Sequence, residues 1–523
     1  MVKGEEKSEI VLGIDLGTSN SAACIYKDGN LIMVPSAEGH SKYGKSFPSY
    51  VAFTRDGEEL VGEPAKRQGI NNVDGTISAF KRQMGKDKKY NIHGKEYTPE
   101  ELSARILQKI KIDSEDFFGE EIDKAVITVP ANFNNNQRTA TKDAAELVGI
   151  NVTRLISEPT AASLAYGFNK SHEDETTILV FDFGGGTLDV TIMEISGKHF
   201  DVVSTSGNNG LGGNDMDYKL AKYLAEEIKK EYDIDLFEKK HAELMRAAED
   251  AKIELSTKEE TPINLRYIAL DKENNPINFE TTLKREKLES IVEEIVNRCG
   301  KIIKEALDGA HLTKDDIDKV ILVGGPTKMP IVQKYVQDYM GKPFEKGVDP
   351  MECVAQGASI LADIVEGQKC EKGYIVDDEA VVTDVTPHSL GTVENNTDTV
   401  IMIEKNAPLP YRHTQTFKTL ADDQEVVECI IVEGEDKIAK NNAILGSFEL
   451  KIPPGKKGEQ KIDVTFVKDE SNLLTVTARS QKTGKSESLS IDYPSRMSIY
   501  EKHQRQQELK EMGERYKAKK KSN

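Results

Sequence analysis

The sequence predicts a multidomain chain: mixed α/β over about its first 365 residues, an antiparallel β-sandwich from Val385 to Tyr493, and a short C-terminal helix. Three observations carry that expectation. Residues 10–23 and 178–192 repeat one pattern, in which an apolar strand leads to an aspartate, a glycine turn with threonine and a second apolar strand. Such a repeat implies two related lobes. Around these copies, apolar residues recur at helical spacing. After Glu366 the composition turns polar and acidic, and short β-rich segments then follow at strand-and-turn intervals. A chain of 523 residues is also too long for a single core.

In chain order, the first copy places Asp15 at a strand end, and β-preferring residues resume just past the glycine turn, so a hairpin is expected. Thr98-Pro99-Glu100-Glu101 predicts a helix start: Thr98 caps, Pro99 suits the first turn and Glu101 completes a capping box ahead of Leu102, Ile106 and Ile110. The second copy places Asp182 like Asp15. Residues 217–231, 239–256 and 285–307 read as helices, and Lys319–Gly325 as a buried strand ending in a double-glycine turn. The stretch Glu366–Asp384, with one apolar patch at Ala380, Val381 and Val382, reads as a linker. Strands are expected at 399–403, 415–420, 426–433, 447–452, 462–467, 473–478 and 486–491. Arg496–Asn523 reads as a solvated helix with a frayed, lysine-rich end. The expected boundaries are 1–366, 367–384, 385–494 and 495–523.

The formal charge is −19, from 70 basic and 89 acidic residues. It opposes nucleic acid or an anionic membrane as the main partner. Cys24, Cys299, Cys353, Cys370 and Cys429 are scattered and odd in number, which fits neither a disulfide framework nor a zinc knuckle. With no secretory or membrane-spanning run, a cytoplasmic location is expected.

Gly39–Ser46 matches GxxxxGK[ST], yet Pro48 and the strand pattern Tyr50–Phe53 follow where a P-loop requires a helix. The paired Asp–Gly turns are the better phosphate site. Gly17, Thr18 and Ser19 on one side and Gly184, Gly185, Gly186 and Thr187 on the other let backbone N–H groups approach phosphates, with Asp15 and Asp182 facing a metal. A single such turn would more simply be a tight hairpin. Two copies and the later Gly324-Gly325 turn favour a site.

The segments Gly13–Ser21, Val129–Asn134, Glu158–Ala162, Asp182–Asp189 and Val323–Gly325 resemble the signatures of DnaK-type heat-shock chaperones, the seventy-kilodalton class, over Glu9 to Tyr493. The resemblance implies an actin-like ATPase fold around a deep nucleotide cleft that takes ATP or ADP with Mg²⁺, and K⁺ as a further candidate ion. It implies that Lys81 positions the attacking water and γ-phosphate, that Glu158, Asp182 and Asp15 surround the water and a Mg²⁺ held mainly through water, and that Thr187 lies near the γ-phosphate. Gly212 and Gly213 join the phosphate side. Glu249, Lys252 and Ser256, at helical spacing, match the adenosine contacts, although a surface ion pair has the same spacing. Lys328 stands where an arginine is usual, and Asn214 where an acid is usual.

The resemblance further implies coupling through Pro130 and Arg138 and through the linker residues Val381, Val382 and Asp384. The linker is less apolar than usual, so weaker docking is expected. Phe417, Val427, Cys429 and Ile462 fall at peptide-groove positions, with Asn395 and Leu420 where residues arch over the client. Alternation along Val427, Cys429 and Ile431 fits core packing equally well. The helical lid is expected to be truncated or absent, speeding client release. Implied partners are unfolded polypeptide clients, a J-domain co-chaperone and a nucleotide-exchange factor. The competing readings are an ATP-binding holdase or regulatory chaperone with weak turnover, and an actin-like small-molecule kinase.

Overall fold

The computed structural model describes residues 10–27, 29–37, 45–167, 175–347, 349–370, 381–395, 397–490 and 499–522. Its architecture is multidomain α/β. Val11–Asp15 runs parallel to Lys124–Val129 and antiparallel to Asn20–Lys27, with Asn151–Ser157 and Asn30–Met33 outside them. A second sheet has the order Lys319–Val323, Thr176–Phe183, Leu188–Ser196, His199–Asn208, Val381–Thr383. Thr176–Phe183 is likewise parallel to one neighbour and antiparallel to the other. The repeated segments therefore occupy matching places, each with its aspartate at or next to the strand end. Both central strands are near-continuous apolar runs because helices cover both of their faces.

The helices lock the two sheets together at glycines. Cys353–Cys370 packs on Val11–Asp15, on Asn20–Lys27 and on the helix Glu158–Gly167. A Cβ on Gly357 would lie 1.6 Å from the Ala161 carbonyl oxygen, and one on Gly13 would lie 2.1 Å from the Ser359 nitrogen. Only glycine admits approach this close. The crossing fixes where Glu158, the first residue of its helix, meets the strand ends. Thr98 and Glu101 form the expected capping box on Pro99–Phe118, with the Thr98 amide donating to Glu101 Oε2 at 2.7 Å. The expected helices appear as Gly213–Tyr232, His241–Leu255 and Arg285–Ala310. Among the described residues no helix is long and apolar enough to cross a membrane.

Residues 390–490 form two four-stranded antiparallel sheets, ordered Asp398–Ile403, Leu390–Glu394, Val426–Glu433, Ala443–Lys451 and Tyr411–Lys418, Lys461–Lys468, Leu474–Ser480, Ser486–Ser490. Leu390, Cys429 and Leu450 from one and Ile462, Phe466 and Val476 from the other share a single core. Leu390–Glu394 is a strand the sequence reading lacks, because Gly391 and only two apolar side chains, buried Leu390 and half-buried Val393, leave little β signal.

Two segments depart from expectation. Val381–Thr383, read as linker, is a fifth strand on the second sheet, parallel to His199–Asp201. The helix Ile499–Ser522 forms as expected but is not solvated all round. It lies on Pro99–Phe118, where Leu509 is 2 % exposed against Ala104 and Leu147. Arg505 pairs with Glu101 at 2.6 Å and Lys517 with Glu115 at 2.8 Å. Leu509, half-buried Met512, hydrogen bonds made by Gln108 and Gln506 and several ion pairs hold it, so no apolar stripe announced the contact.

Candidate active site

The ends of the two central strands face one cavity of about 440 Å³. At its floor Glu158 Oε1 takes Lys81 Nζ at 2.6 Å, a pair whose side chains are 12 % and 4 % exposed. Lys81 itself sits behind the cavity wall and reaches it through Glu158. Asp15 and Asp182 flank the pair. Burial and the Glu158 charge push Asp15 up to about 7, with Lys81 and a hydrogen bond from Thr128 opposing. Burial, then Glu158, Asp189 and Asp15, hold Asp182 well above the usual carboxylate range.

This is a crowd of acids with one ammonium, and it is short of positive charge. Asp182 Oδ2 is buried with no hydrogen-bond partner among the described residues. Yet no three of the described acids, histidines and cysteines lie close enough to ligate one ion directly. Those two facts fit Mg²⁺, which keeps several of its waters and meets carboxylates through them.

Glycines shape the wall. A Cβ on Gly17 would lie 2.0 Å from the Asn20 carbonyl oxygen and one on Gly185 2.0 Å from Ser19 Oγ. Gly324, at φ +86°, would place a Cβ 2.2 Å from the Phe183 carbonyl oxygen. The structure brings Gly17, Thr18, Ser19, Gly184, Gly185, Thr187, Gly213, Gly324 and Gly325 to the cavity. It does not bring Gly186 and Gly212 there. Gly186 packs on Thr18 and accepts from Arg82 Nε at 2.9 Å, and Gly212 stacks over Gly185 ahead of the helix it caps. The P-loop pattern lies mostly outside the described residues. Its Ser46 lines the cavity but leads into the strands Phe47–Pro48 and Val51–Phe53.

At the far end, Glu249, Lys252, Ser256 and Lys328 line the same cavity. Lys252 Nζ holds Asp217 at 2.7 Å and the Gly213 carbonyl at 3.2 Å, so the lysine is a buried strut. Glu249 takes Lys66 at 2.6 Å from the opposite side. Lys328 faces Asp349 at 3.6 Å, both about half exposed. Two more ties cross the cleft: Ser19 Oγ donates to Asn214 Oδ1 at 3.2 Å, and Arg82 meets Asp215 at 2.6 Å. Sequence reasoning missed Asp217, Lys66, Arg82 and Asp349. Asp217, three residues past Asn214 on the same helix, was the one with a local signal.

A family model described as Hsp70 protein matches residues 11–523. This chain belongs to the Hsp70 family. It is 52 % identical to the chaperone protein DnaK of Methanothermobacter thermautotrophicus, over 97 % of this chain and 84 % of that one. It is 51 % identical to that of Elusimicrobium minutum over 93 % and 78 %, and 48 % identical to that of Thermoplasma acidophilum over 96 % and 81 %.

From the cleft a short run of contacts leads toward the β-rich residues that follow Asp384. Asp189, which sequence reasoning passed over, is the cross-strand partner of Asp182 and accepts from the Asn132 amide at 3.1 Å. Burial and Glu158 push it up to about 7. The Asn132 carbonyl faces His388 Nε2 at 3.4 Å. Pro130 opens this loop. Arg138, 1 % exposed, braces it by donating to the carbonyls of Ala131 and Phe133, each at 3.2 Å. Val382 and Thr383 pair with Phe200 and Asp201, while Val381 is 41 % exposed. Asp384 follows, its carboxyl raised by burial and opposed by Arg138. Of the six groove candidates, Asn395 and Leu420 are exposed and Phe417 and Val427 half-buried. Cys429 and Ile462 are enclosed in the core, at 3 % and 1 % exposure.

Proposed function

We propose that this chain is an ATP-dependent molecular chaperone in which ATP hydrolysis switches affinity for exposed apolar segments of unfolded protein. In this reading residues 1–366 are an actin-like ATPase domain of two duplicated lobes, 367–384 the linker, 385–494 a peptide-binding β-sandwich and 495–523 a helical tail. The observation that carries it is the buried acid cluster with its single ammonium, facing glycine turns across a cavity of nucleotide size. Val381–Thr383, at the end of the expected linker, lies as an edge strand on the sheet that carries Asp182, which supports coupling.

Glycine-flanked N–H groups near Gly17–Ser19 and Gly184–Thr187 would hold the triphosphate, and Glu249, Lys252, Ser256 and Lys328 the nucleoside. Asp15, Asp182 and Glu158 would hold a hydrated Mg²⁺; bound there, the ion neutralises charge on the phosphates. Hydrolysis is phosphoryl transfer to water, so the protein's contribution is placement and electrostatics. Lys81 offsets negative charge on the transferred group, and Glu158 holds the ammonium in place. Clients would add along strand edges of the sandwich near Asn395, Phe417, Leu420 and Val427. A J-domain protein and a nucleotide-exchange factor are the partners this function implies.

The test is the release rate of a fluorescent apolar peptide on adding ATP. Release accelerates in the native chain. In Val382→Asp, which puts a charge on the half-buried linker strand, acceleration is lost while single-turnover hydrolysis persists. An unaltered release rate in the native chain sinks the proposal.

A further inference from the structure

A second cavity, of about 370 Å³, lies on the other side of the phosphate turns. Thr18, Ser19, Asn214, Asp217 and Glu249 face both cavities, so these residues form one shared wall. Near the turns it is closed by side chains lying against bare backbone. Ser19 Oγ donates to Asn214 Oδ1 at 3.2 Å, and a Cβ on Gly186 would lie 2.6 Å from Thr18 Cγ2 and 2.9 Å from Arg82 Nε. Arg82 fastens the closure. Its Nε donates to the Gly186 carbonyl at 2.9 Å, while Nη1 and Nη2 reach the two carboxylate oxygens of Asp215 at 3.4 and 2.6 Å.

Arg82 follows Lys81 on the 3₁₀ turn Phe80–Gln83, where successive side chains point about a third of a turn apart. Lys81 therefore meets Glu158 at the floor of the first cavity, and Arg82 lines the second. The two cavities differ in charge where they meet. Asp15, Glu158 and Asp182 line the first beside the phosphate turns. Lys66, Arg82 and Arg246 line the second, and its two acids are already matched, Glu249 by Lys66 and Asp217 by Lys252. The side chains of Arg82 and Asp215 are 20 % and 34 % exposed, so water already competes for their pair.

Hydrolysis as proposed above, on which this inference rests, leaves ADP and inorganic phosphate in the first cavity. The phosphate then lies among the acids, with the nucleoside between it and the far end. We propose that the phosphate leaves through the shared wall into the second cavity, ahead of ADP, with Arg82 as the gate. The acids repel the freed anion. A guanidinium fork that holds a carboxylate by two bonds holds a phosphate in the same way. Phosphate takes the fork from Asp215, the tie across the cleft opens, and Lys66 and Arg246 draw the anion onward.

Arg246 lines the second cavity and not the first, so its charge can be changed without touching the nucleotide. Single turnovers with Mg²⁺ and ATP are followed by quenched ADP formation, by a fluorescent phosphate sensor and by a fluorescent ADP analogue. In the native chain free phosphate appears before ADP leaves. Arg246→Glu slows phosphate release roughly tenfold with ADP formation within about twofold of native, and Arg246→Gln lies between. Phosphate release that ignores Arg246→Glu, or phosphate that appears only as ADP leaves, overturns the route. An equal slowing of ADP formation overturns it too, because the arginine would then act on hydrolysis. A native chain that forms no ADP refutes the hydrolysis reading instead. The route is then judged on protein loaded with ADP and radiolabelled inorganic phosphate, where Arg246→Glu must slow the escape of phosphate and leave that of ADP unaltered.

Discussion

Replacing Lys81 by methionine removes the ammonium that pairs with Glu158. At 2.6 Å from Glu158, two unit charges in an effective dielectric near 20 attract by about 6 kcal/mol. Much of that offsets the desolvation of both groups. Removing one partner of such a buried pair costs about 3–5 kcal/mol, because the other charge is left unpaired. Asp15, Asp182 and Asp189 act on the same group of charges, so repulsion rises as well. The variant should lose stability by that amount above neutral pH, and adding Glu158→Gln should restore most of it. Hydrolysis should behave differently. An aimed charge at a transferred group contributes about 10²–10³ in rate, and the double variant cannot recover it. Single-turnover ADP formation, with urea melts run in parallel, separates the two effects. Hydrolysis within about threefold of native in Lys81→Met would refute a role for this lysine at the transferred phosphate, however much stability it loses.

Three further outcomes follow from the geometry. Gly185→Ala places a methyl 2.0 Å from Ser19 Oγ, an overpacking of about 1–3 kcal/mol. ATP affinity by calorimetry should drop roughly five- to 150-fold, with partial rescue by Ser19→Gly; no rescue would locate the clash elsewhere. Leu509→Ala removes the one fully buried leucine of the C-terminal helix, at about 2–3 kcal/mol. Amides in Ile499–Ser522 should then exchange roughly 30- to 150-fold faster, whereas unchanged protection would mean that the remaining contacts hold the helix without this leucine. Asp15 and Asp189 titrate near 7 when folded, against an ordinary value of 3.8. The folded chain therefore binds more protons between those limits, so the contribution of these groups to stability falls as pH rises from about 4 to about 7 and levels off above. Urea titrations should show that slope without nucleotide and lose most of it with Mg²⁺ and ATP, and an equal slope in both would argue against a cation among these acids.

The legible features were those made by residues close in sequence. Thr98 and Glu101 cap one helix because three residues of separation suffice for both bonds. Asp15 and Asp182 stand beside glycine turns because the pattern of strand, acid and turn is local, and the alternation of Val427, Cys429 and Ile431 orients those side chains without help. Their meeting was harder to see. It rests on two helices crossing at Gly357 and on a helix packing over the strand at Gly13, where no side chain could intervene.

What the amino-acid order determined by itself is therefore the long helices and most of the sandwich strands, though not Leu390–Glu394 or Val381–Thr383, and which acids and glycines lie at strand termini. The tertiary structure alone decided that Lys66 and Arg82 would close on Glu249 and Asp215, that Lys328 would face Asp349, that Asp189 would relay to Asn132, that Cys429 and Ile462 would be enclosed, and that a charged tail would settle on Pro99–Phe118. The physical reason is range. Caps, turns and periodicity are set by bonds between neighbours a few residues apart. An ion pair across a cleft exists only once whole sheets have packed, and no local pattern encodes which distant group arrives.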